Sequence, residues 1–224
     1  MTEIRAPIRE SRAPGAGGGR LLTGNRKRIL QALYLYPASS VSKISRVVGL
    51  TPNTVKWHLS ALKRAEFITE DRVDNKSVFY PCNYLEPSET LLLTVLNDDN
   101  SNMIFRKVFE KPGMTQKEIK SSLDLTQNTT GYFLRKLTHI GAVIEVQNGK
   151  FKHYYPSEKV LKRLEERKMR CGEYASYLIS KLKSAGVETA ELNVSEHSFS
   201  FKILHRRSEE YVEFQSNPFS RIIG

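Results

Sequence analysis

The stretch that decides the fold is residues 50–68, LTPNTVKWHLSALKRAEFI, which has the pattern of an amphipathic helix. Thr51 suits the N-cap, because its hydroxyl can accept from a backbone N–H of the first turn. Pro52 suits the first helical position, where its missing N–H costs nothing. Apolar residues recur at i, i+4 and i+7 along one side: Val55, Leu59 and Leu62. We therefore expect a helix that begins near Thr51 and buries this stripe.

The opposite face of this helix is polar and cationic. It carries Asn53, Thr54, Lys56, Trp57, Ser60, Lys63 and Arg64. Amides, hydroxyls and cations can contact base edges and phosphates, so these residues and Thr51 are candidate DNA contacts. An ordinary surface helix has the same pattern, and this window alone does not separate the two interpretations.

The same window recurs 75 residues later as LTQNTTGYFLRKLTHIGAV, residues 125–143. The register also holds upstream, where Ile29 and Ile44 match Ile104 and Ile119, and downstream, where the Tyr-Pro pair at 80–81 recurs at 155–156. A repeat of this length is a whole small domain. We therefore expect two copies of one domain, module one (residues 21–84) and module two (residues 101–156).

Module two presents its own polar face on the repeated helix. Its candidate DNA contacts are Gln127, Asn128, Thr129, Tyr132, Arg135 and Lys136. Gly131 lies in the middle of this helix, where glycine costs about 1 kcal/mol relative to alanine. Either the helix has stability to spare, or another group approaches its backbone closely at this position.

Each repeated helix is preceded by two shorter helical patterns and followed by a strand–turn–strand pattern. The strands are expected at 67–72 with 77–81, and at 142–147 with 150–155. Asn148-Gly149 predicts a type I′ turn in the second hairpin, since both residues tolerate positive φ. Three helices and a β-ribbon make up the winged helix-turn-helix, whose third helix normally lies in the major groove.

Residues 52–68 resemble the recognition-helix segment of the ArsR/MarR-like winged-helix regulators of archaea and bacteria. The resemblance rests on a V-x-x-H-L-x-x-L core (Val55, His58, Leu59, Leu62) and on the exit Phe67-Ile68. It covers about residues 22–156. It implies an α+β, mostly α fold with two tandem winged helix-turn-helix domains, and a DNA-binding regulator that dimerises through helices outside them. Glu66 stands where such sequences usually have glycine, so we expect a different helix end from that at Gly141.

The two ribbons differ in charge. The charges of the first nearly cancel, although Arg72 and Lys76 remain candidate phosphate contacts. The second is cationic through Lys150, Lys152 and His153. We expect both modules to touch DNA, with module one the better reader of bases and module two more basic in its wing.

Asparagine and an aromatic residue stand four positions apart in both repeated helices, as Asn53 with Trp57 and Asn128 with Tyr132. This spacing also resembles the winged helices that bind left-handed DNA. Their wing carries a proline-rich stretch and a tryptophan, whereas the single tryptophan here is Trp57. Trp57 either contacts DNA or packs against the wing, and we expect His58 to serve packing.

The remaining segments join or extend the modules. Residues 85–100 contain a linker helix around 91–96, and the sequence does not decide whether the connection is rigid. Residues 157–185 are helical, with a possible break at Gly172, and 186–224 form a small β-rich tail. The helical stripe is a candidate homodimer surface, or packs within its own chain: Leu161, Leu164, Tyr174, Leu178 and Leu182.

Composition favours a polyanionic partner. With 35 basic and 24 acidic residues the formal net charge is +11, which favours nucleic acid first and an anionic membrane surface second. Residues 1–20, rich in Gly, Pro and Arg, are expected to be a disordered basic tail. The tail is either simply solvated or a minor-groove arm that uses Arg5, Arg9, Arg12 and Arg20.

Two distant cysteines form neither a disulfide framework nor a zinc cluster, and no apolar run approaches the ~18 residues of a membrane span. An apolar export signal is absent too, so we expect a cytoplasmic protein. No phosphate-binding, dinucleotide or metalloprotease motif is present, and we expect no enzyme, cofactor or metal. The expected function is sequence-specific transcription regulation on double-stranded DNA. The alternatives are a sequence-nonspecific nucleic-acid-binding factor of the replication or transcription machinery, and a winged-helix protein–protein adaptor.

Overall fold

The computed structural model describes residues 22, 24–168, 171–196, 198–205 and 207–215, so the expected basic tail at 1–20 lies outside the described residues. The described helices are α1 (Gly24–Leu35), α2 (Val41–Val48), α3 (Pro52–Arg64), α4 (Pro87–Leu96), α5 (Asp99–Glu110), α6 (Gln116–Leu123), α7 (Gln127–His139), α8 (Glu158–Lys168) and α9 (Cys171–Ser184). The described strands are β1 (Ile68–Val73), β2 (Lys76–Pro81), β3 (Met114–Thr115), β4 (Val143–Asn148), β5 (Phe151–Pro156), β6 (Thr189–Val194), β7 (Phe199–His205) and β8 (Ser208–Phe214). The described part of the chain is thus α+β and about half helical.

The secondary structure repeats with the same offset as the sequence. Helices α5, α6 and α7 and strands β4 and β5 each begin and end 75 residues after α1, α2, α3, β1 and β2. Details of the backbone repeat too: Ala38 and Gly113 both have positive φ, at 59° and 85°. Ser39 forms a bridge with Phe79, and the matching residue Met114 pairs with Tyr154 as part of β3.

Local signals in the deciding stretch are confirmed. The Thr51 side chain caps α3 by accepting from the backbone N–H of Thr54, and the same bond joins Thr126 to Thr129 in α7. The apolar stripe of α3 is buried: Val55, Leu59 and Leu62. The shared cap and stripe set which side of each helix faces outward.

The turns of the two hairpins lie at other residues than the sequence predicted. Val73 pairs with Lys76, so Asp74 and Asn75 form the first turn, and both have positive φ as a type I′ turn requires. In the second hairpin Asn148 pairs with Phe151, so the turn residues are Gly149 and Lys150 and not Asn148-Gly149. Only the first of these has positive φ, which is the pattern of a type II′ turn. The predicted type I′ turn at Asn148-Gly149 is therefore wrong by one residue.

The expected difference between the two helix exits is also wrong. Glu66 has φ 57° and Gly141 has φ 69°, so both exits pass through the left-handed region. In both modules the following N–H returns to the last turn, from Phe67 to the Leu62 carbonyl and from Ala142 to the Leu137 carbonyl, each at 2.9 Å. An ion pair of 2.6 Å between Lys181 Nζ and the Glu66 carboxylate accompanies this strained conformation. The pKa of Glu66 is lowered by the hydrogen bond that Lys181 donates.

The connection between the modules is packed. Thr94 on α4 donates from its hydroxyl to the Ala38 carbonyl at 3.3 Å, and Asn97 donates to the Pro37 carbonyl. Asn97 is buried at the end of α4, two residues before α5 begins. The linker helix is therefore packed against module one.

The C-terminal elements cover module one. Strands β6, β7 and β8 form an antiparallel sheet in that order, which agrees with the β-rich tail that the sequence predicted. This sheet packs on α9 and α1. Tyr34 of α1 is buried. Its ring centroid lies 5.4 Å from the ring centroids of Tyr174, Phe199 and Phe214. The Tyr34 hydroxyl also lies 3.1 Å from Cys171 Sγ. Helix α1 is thereby enclosed around Tyr34 by α9 and the C-terminal sheet.

This packing corrects the proposed dimer stripe. Leu164, Tyr174, Leu178 and Leu182 are buried inside their own chain, and Leu161 is half-buried against the same core. The helical periodicity correctly predicted that this face is buried, but the face packs against the core of its own chain and not against a second copy. Gly172 lies inside α9, so the possible break does not fall at that residue. Within the described ranges, no helix is both long and apolar enough to cross a bilayer.

Candidate nucleic-acid interface

The outer face of α3 is open to solvent. Asn53, Lys56, Trp57, Ser60, Lys63 and Arg64 are exposed, and Thr54 is half-buried. The hydroxyl of Thr51 is engaged with Thr54, 2.9 Å from its Oγ1, so Thr51 shapes the helix start in addition to facing outward. Amide, hydroxyl and cationic groups thus share one solvent-facing surface, as the sequence predicted.

Trp57 is one of the most exposed aromatic residues of this surface and its known ring neighbours lie on α1 and α3. Its side chain is 63% exposed, and the guanidinium carbon of Arg26 lies 5.5 Å from the ring centroid. Arg26 belongs to α1, and no local sequence pattern links it to Trp57. A cation beside an exposed indole forms a combined platform that can contact a phosphate and a base or sugar together.

His58 lies on the less exposed side of the same turn. Its Nδ1 is buried and has no hydrogen-bond partner among the described residues. Burial, followed by the charge of Arg26, lowers the pKa of His58, so the ring is neutral at pH 7. This environment agrees with a packing role for His58.

The first wing, β1 and β2, neutralises part of the positive charge of α3. Lys63 Nζ lies 2.5 Å from a Glu70 carboxylate oxygen, and this hydrogen bond lowers the pKa of Glu70. Arg72 and Lys76 are exposed near the turn. The groove between α3 and this wing is lined by Lys56, Ser60, Lys63 and Arg64 on one side and by Glu70 on the other.

Helix α7 repeats the arrangement of α3. Gln127, Asn128, Tyr132 and Arg135 are exposed, with Tyr132 at 54%, and Thr129 is half-buried. Gly131 is buried, and a Cβ at this position would lie 2.8 Å from Gln116 Nε2. The same Gln116 nitrogen donates to the Gln127 carbonyl at 2.9 Å. The glycine therefore permits the close approach of the Gln116 side chain, which supports the start of α7 and which no local sequence pattern indicates.

Two of the candidate lysines of module two already have acidic neighbours. Lys152 Nζ lies 2.6 Å from the Glu145 carboxylate across the second wing. Lys136 is half-buried and lines a pocket between the modules together with Lys43, Asp74 and Asp99. Lys150 is exposed in the turn of the wing. Lys150 therefore has the most open position of the three for a phosphate.

No group of three or more His, Cys, Asp and Glu side chains that could hold a metal ion occurs in the described part of the chain. Cys82 and Cys171 are both free thiols, and burial raises the pKa of Cys171. Among the described residues, the exposed polar faces of α3 and α7 and the ribbons beside them are thus the best candidates for a binding site.

Residues 22–69 match a family described as winged helix-turn-helix DNA-binding. The chain is 28% identical over 142 residues to an uncharacterized HTH-type transcriptional regulator of Methanocaldococcus jannaschii; the match covers 63% of this chain and 36% of that protein. Solved structures with similar chains include a MarR transcriptional regulator from Methanosarcina mazei, 15% identical, with coverage of 64% of this chain and 90% of that chain and a TM-score of 0.30. The transcriptional regulator SlyA is 18% identical, with coverage of 40% and 75% and a TM-score of 0.27. TM-scores this low do not establish a common overall fold.

The family match and the geometry coincide in module one. The matched residues run from the start of module one to the beginning of β1 and include α1, α2 and all of α3. The chain therefore carries a winged helix-turn-helix DNA-binding domain at residues 22–69, with α3 in the place of the recognition helix.

Proposed function

We propose that this protein is a sequence-specific DNA-binding transcription regulator of archaeal type that uses two winged helix-turn-helix modules. Module two is the second DNA-reading unit, with α7 as its recognition helix and β4–β5 as its wing. The protein works in the cytoplasm as a binding protein and not as an enzyme. The regulator class is supported by the family match of module one and by the relative from Methanocaldococcus jannaschii.

The observation that carries this proposal is the matching pair of outer faces on α3 and α7. Each helix begins at a threonine cap and presents an exposed asparagine at its second residue and an exposed aromatic ring one turn later. Asparagine can bond to adenine with both its donor and its acceptor in the major groove, which discriminates that base. Two helices with this pattern provide two base-reading surfaces in one chain.

The two modules divide the contacts between them. In α3, the groups for base edges are Asn53, Thr54, Lys56, Trp57 and Ser60. In α7, they are Gln127, Asn128, Tyr132 and Arg135. Cations outside these sets bind phosphates, which fix the register but carry little sequence information. Arg72 and Lys76 serve this purpose in wing one, and Lys150 serves it in wing two.

The packed linker implies a target of fixed geometry. Helix α4 is hydrogen-bonded to module one, and Lys43 of α2 forms a 2.8 Å ion pair with Asp99 at the start of α5. Two recognition helices held in one rigid arrangement fit two short base patterns at a single spacing. A flexible linker would accept many spacings.

Selection of the purified full chain on a random-sequence duplex library at about 150 mM salt tests the proposal, since nonspecific affinity falls steeply with salt. We expect enrichment of a motif with two short blocks at one spacing. The net charge of +11 favours the second candidate, a factor that binds phosphates without sequence choice, and uniform salt-sensitive binding would support it. If the chain binds no duplex, the remaining candidate function is a winged-helix protein–protein adaptor.

A further inference from the structure

The start of α1 brings a positive charge to the outer face of α3. The guanidinium carbon of Arg26 lies over the ring of Trp57, 5.5 Å from its centroid. Trp57 follows Asn53 by one helical turn, so the two side chains lie on the same stripe of α3. Burial and then the charge of Arg26 lower the pKa of His58, the next residue of this helix. Both features place the Arg26 side chain beside the surface assigned to base recognition.

The two cations that follow Arg26 in α1 are engaged elsewhere in the protein. Lys27 forms an ion pair with Glu210 of β8. The Arg28 guanidinium donates to the Val48 carbonyl at the end of α2, at 2.6 Å. These two side chains join α1 to other elements, whereas the ring beside Arg26 is largely exposed. The first turn of α1 therefore directs one of its cations to the solvent-facing side of α3.

A guanidinium beside an aromatic face does not use its N–H donors for that contact. The attraction comes from the electrons of the ring, and the donors remain available to an acceptor. A phosphate group can accept two of them at once, because the spacing of its oxygens matches the planar guanidinium. The ring also limits the motion of the side chain beforehand, so less conformational freedom is lost when a phosphate binds.

Module two has a different group at the equivalent position. With the 75-residue offset, Ser101 stands in place of Arg26 and Tyr132 in place of Trp57. Ser101 is buried, and Asp98, which caps α5 at its start, is exposed. A phosphate at the start of α5 would meet a carboxylate, whereas one at the start of α1 would meet a guanidinium. The repeat thus isolates one defined difference between the two DNA-binding surfaces.

We propose that Arg26, held over Trp57, binds a phosphate of the DNA backbone beside the bases that α3 reads, and that module two has no equivalent contact. Trp57 is the positioning residue for this guanidinium. The start of α1 is then a third contact element of module one, besides the recognition helix and the wing. The inference rests on the proposed function and adds a contact to it.

Titrations of a random-sequence duplex with the full chain at several salt concentrations test the inference, because a phosphate contact acts on every sequence. Arg26→Gln should reduce the slope of log affinity against log salt by about one and weaken binding about fivefold at about 150 mM salt. Lys27→Gln is the control, since it removes a cation of the same turn that pairs with Glu210. It should leave the slope unchanged, because charges away from the contact are screened at this salt concentration.

Two further changes separate a phosphate contact from a structural role. Arg26→Lys keeps the charge and loses the planar group that stacks on the indole. It should keep the salt slope of the unmodified chain and recover only part of the affinity. Trp57→Leu should weaken binding to the random duplex more than Tyr132→Leu, the matched change in α7, because Ser101 supplies no cation to Tyr132.

The single tryptophan of the sequence gives a local measurement on the unmodified chain. Bound duplex should shield Trp57 from quenching by acrylamide, because the DNA backbone then lies against Arg26 and the ring. This measurement decides the question even if a variant at Arg26 fails to fold.

Three results would overturn the inference. Trp57 could remain as accessible to acrylamide with DNA as without it, or a folded Arg26→Gln chain could keep the salt slope of the unmodified protein. Equal losses from Trp57→Leu and Tyr132→Leu would show that the two modules do not differ in this contact. In these three cases the chain still binds DNA and the regulator proposal stands. A chain that binds no duplex at all would overturn both proposals.

Discussion

Tyr34 and Phe109 occupy the same position in the two modules and have opposite surroundings. Tyr34 is completely buried under α9 and the C-terminal sheet, whereas Phe109 is 36% exposed on α5. The wings differ in the same way, since α4 covers wing one and leaves wing two open. Two modules with the same elements in the same register thus have different tasks in the molecule. Module one is the enclosed anchor, and module two presents its outer surfaces to solvent.

The largest expected difference concerns these two aromatic positions. Tyr34→Ala should lower the free energy of unfolding by about 3–5 kcal/mol, because it leaves a cavity among the rings of Tyr84, Tyr174, Phe199 and Phe214. Phe109→Ala should cost about 1 kcal/mol, since much of its surface is already in water. Urea unfolding of both variants measures the two costs. Equal losses would show that the modules are equally enclosed and would contradict the comparison.

The next effect concerns base recognition. Asn53→Ala should weaken binding to the selected DNA by about 1–3 kcal/mol and reduce the preference at one base position, because a bidentate contact is lost. Asn128→Ala is the matched change in α7 and should affect a different base position. Competition titrations on selected and random duplexes separate specific from nonspecific losses. If Asn53→Ala costs the same on both duplexes, this residue does not read a base.

At the residues that follow α3 and α7, we expect a smaller change in the free energy of unfolding, in different directions in the two modules. Gly141→Ala should lower the unfolding free energy by about 1 kcal/mol, because alanine is strained at positive φ. Space is not the cause, since a Cβ at Gly141 would meet nothing within 4 Å. Glu66→Gly relieves this strain and gives up only an exposed ion pair that solvent screens, so it should be close to neutral or stabilising. Thermal melts of both variants test the pair, and a clear loss from Glu66→Gly would show that Lys181 holds this exit.

The smallest effect belongs to the wing cations. Lys150→Ala should weaken all DNA sequences alike and reduce the slope of log affinity against log salt by about one, the value for one lost phosphate contact. Lys76→Ala makes the corresponding change in wing one and should reduce the slope by a similar amount. Titrations at several salt concentrations measure both slopes. A loss at Lys150 that depends on sequence would assign this lysine to base recognition.

Features set by neighbouring residues could be predicted from the sequence. The Thr51 cap, the buried stripe of α3 and the 75-residue repeat all follow from spacing along the chain. Features that join distant segments could not be predicted in this way. Arg26 beside Trp57 and Gln116 under Gly131 connect different helices, and no local pattern indicates them.

The errors have the same physical origin. Periodicity showed that Leu164, Leu178 and Leu182 are buried, but a period does not say whether the partner surface belongs to the same chain. Glu66 was expected to change the helix exit because glycine is the usual residue there. The following hairpin requires a left-handed residue at this position in both modules, and tertiary structure overrides the local preference of glutamate.

The central claim is that both α3 and α7 read bases, and a hydroxyl-radical footprint on the selected duplex tests it most directly. The account predicts two protected segments at a fixed spacing with the unmodified chain. Asn53→Ala should weaken protection of one segment first, and Asn128→Ala should weaken the other first. A single protected segment that responds to Asn53→Ala and not to Asn128→Ala would contradict the account and leave module one as the DNA-binding unit.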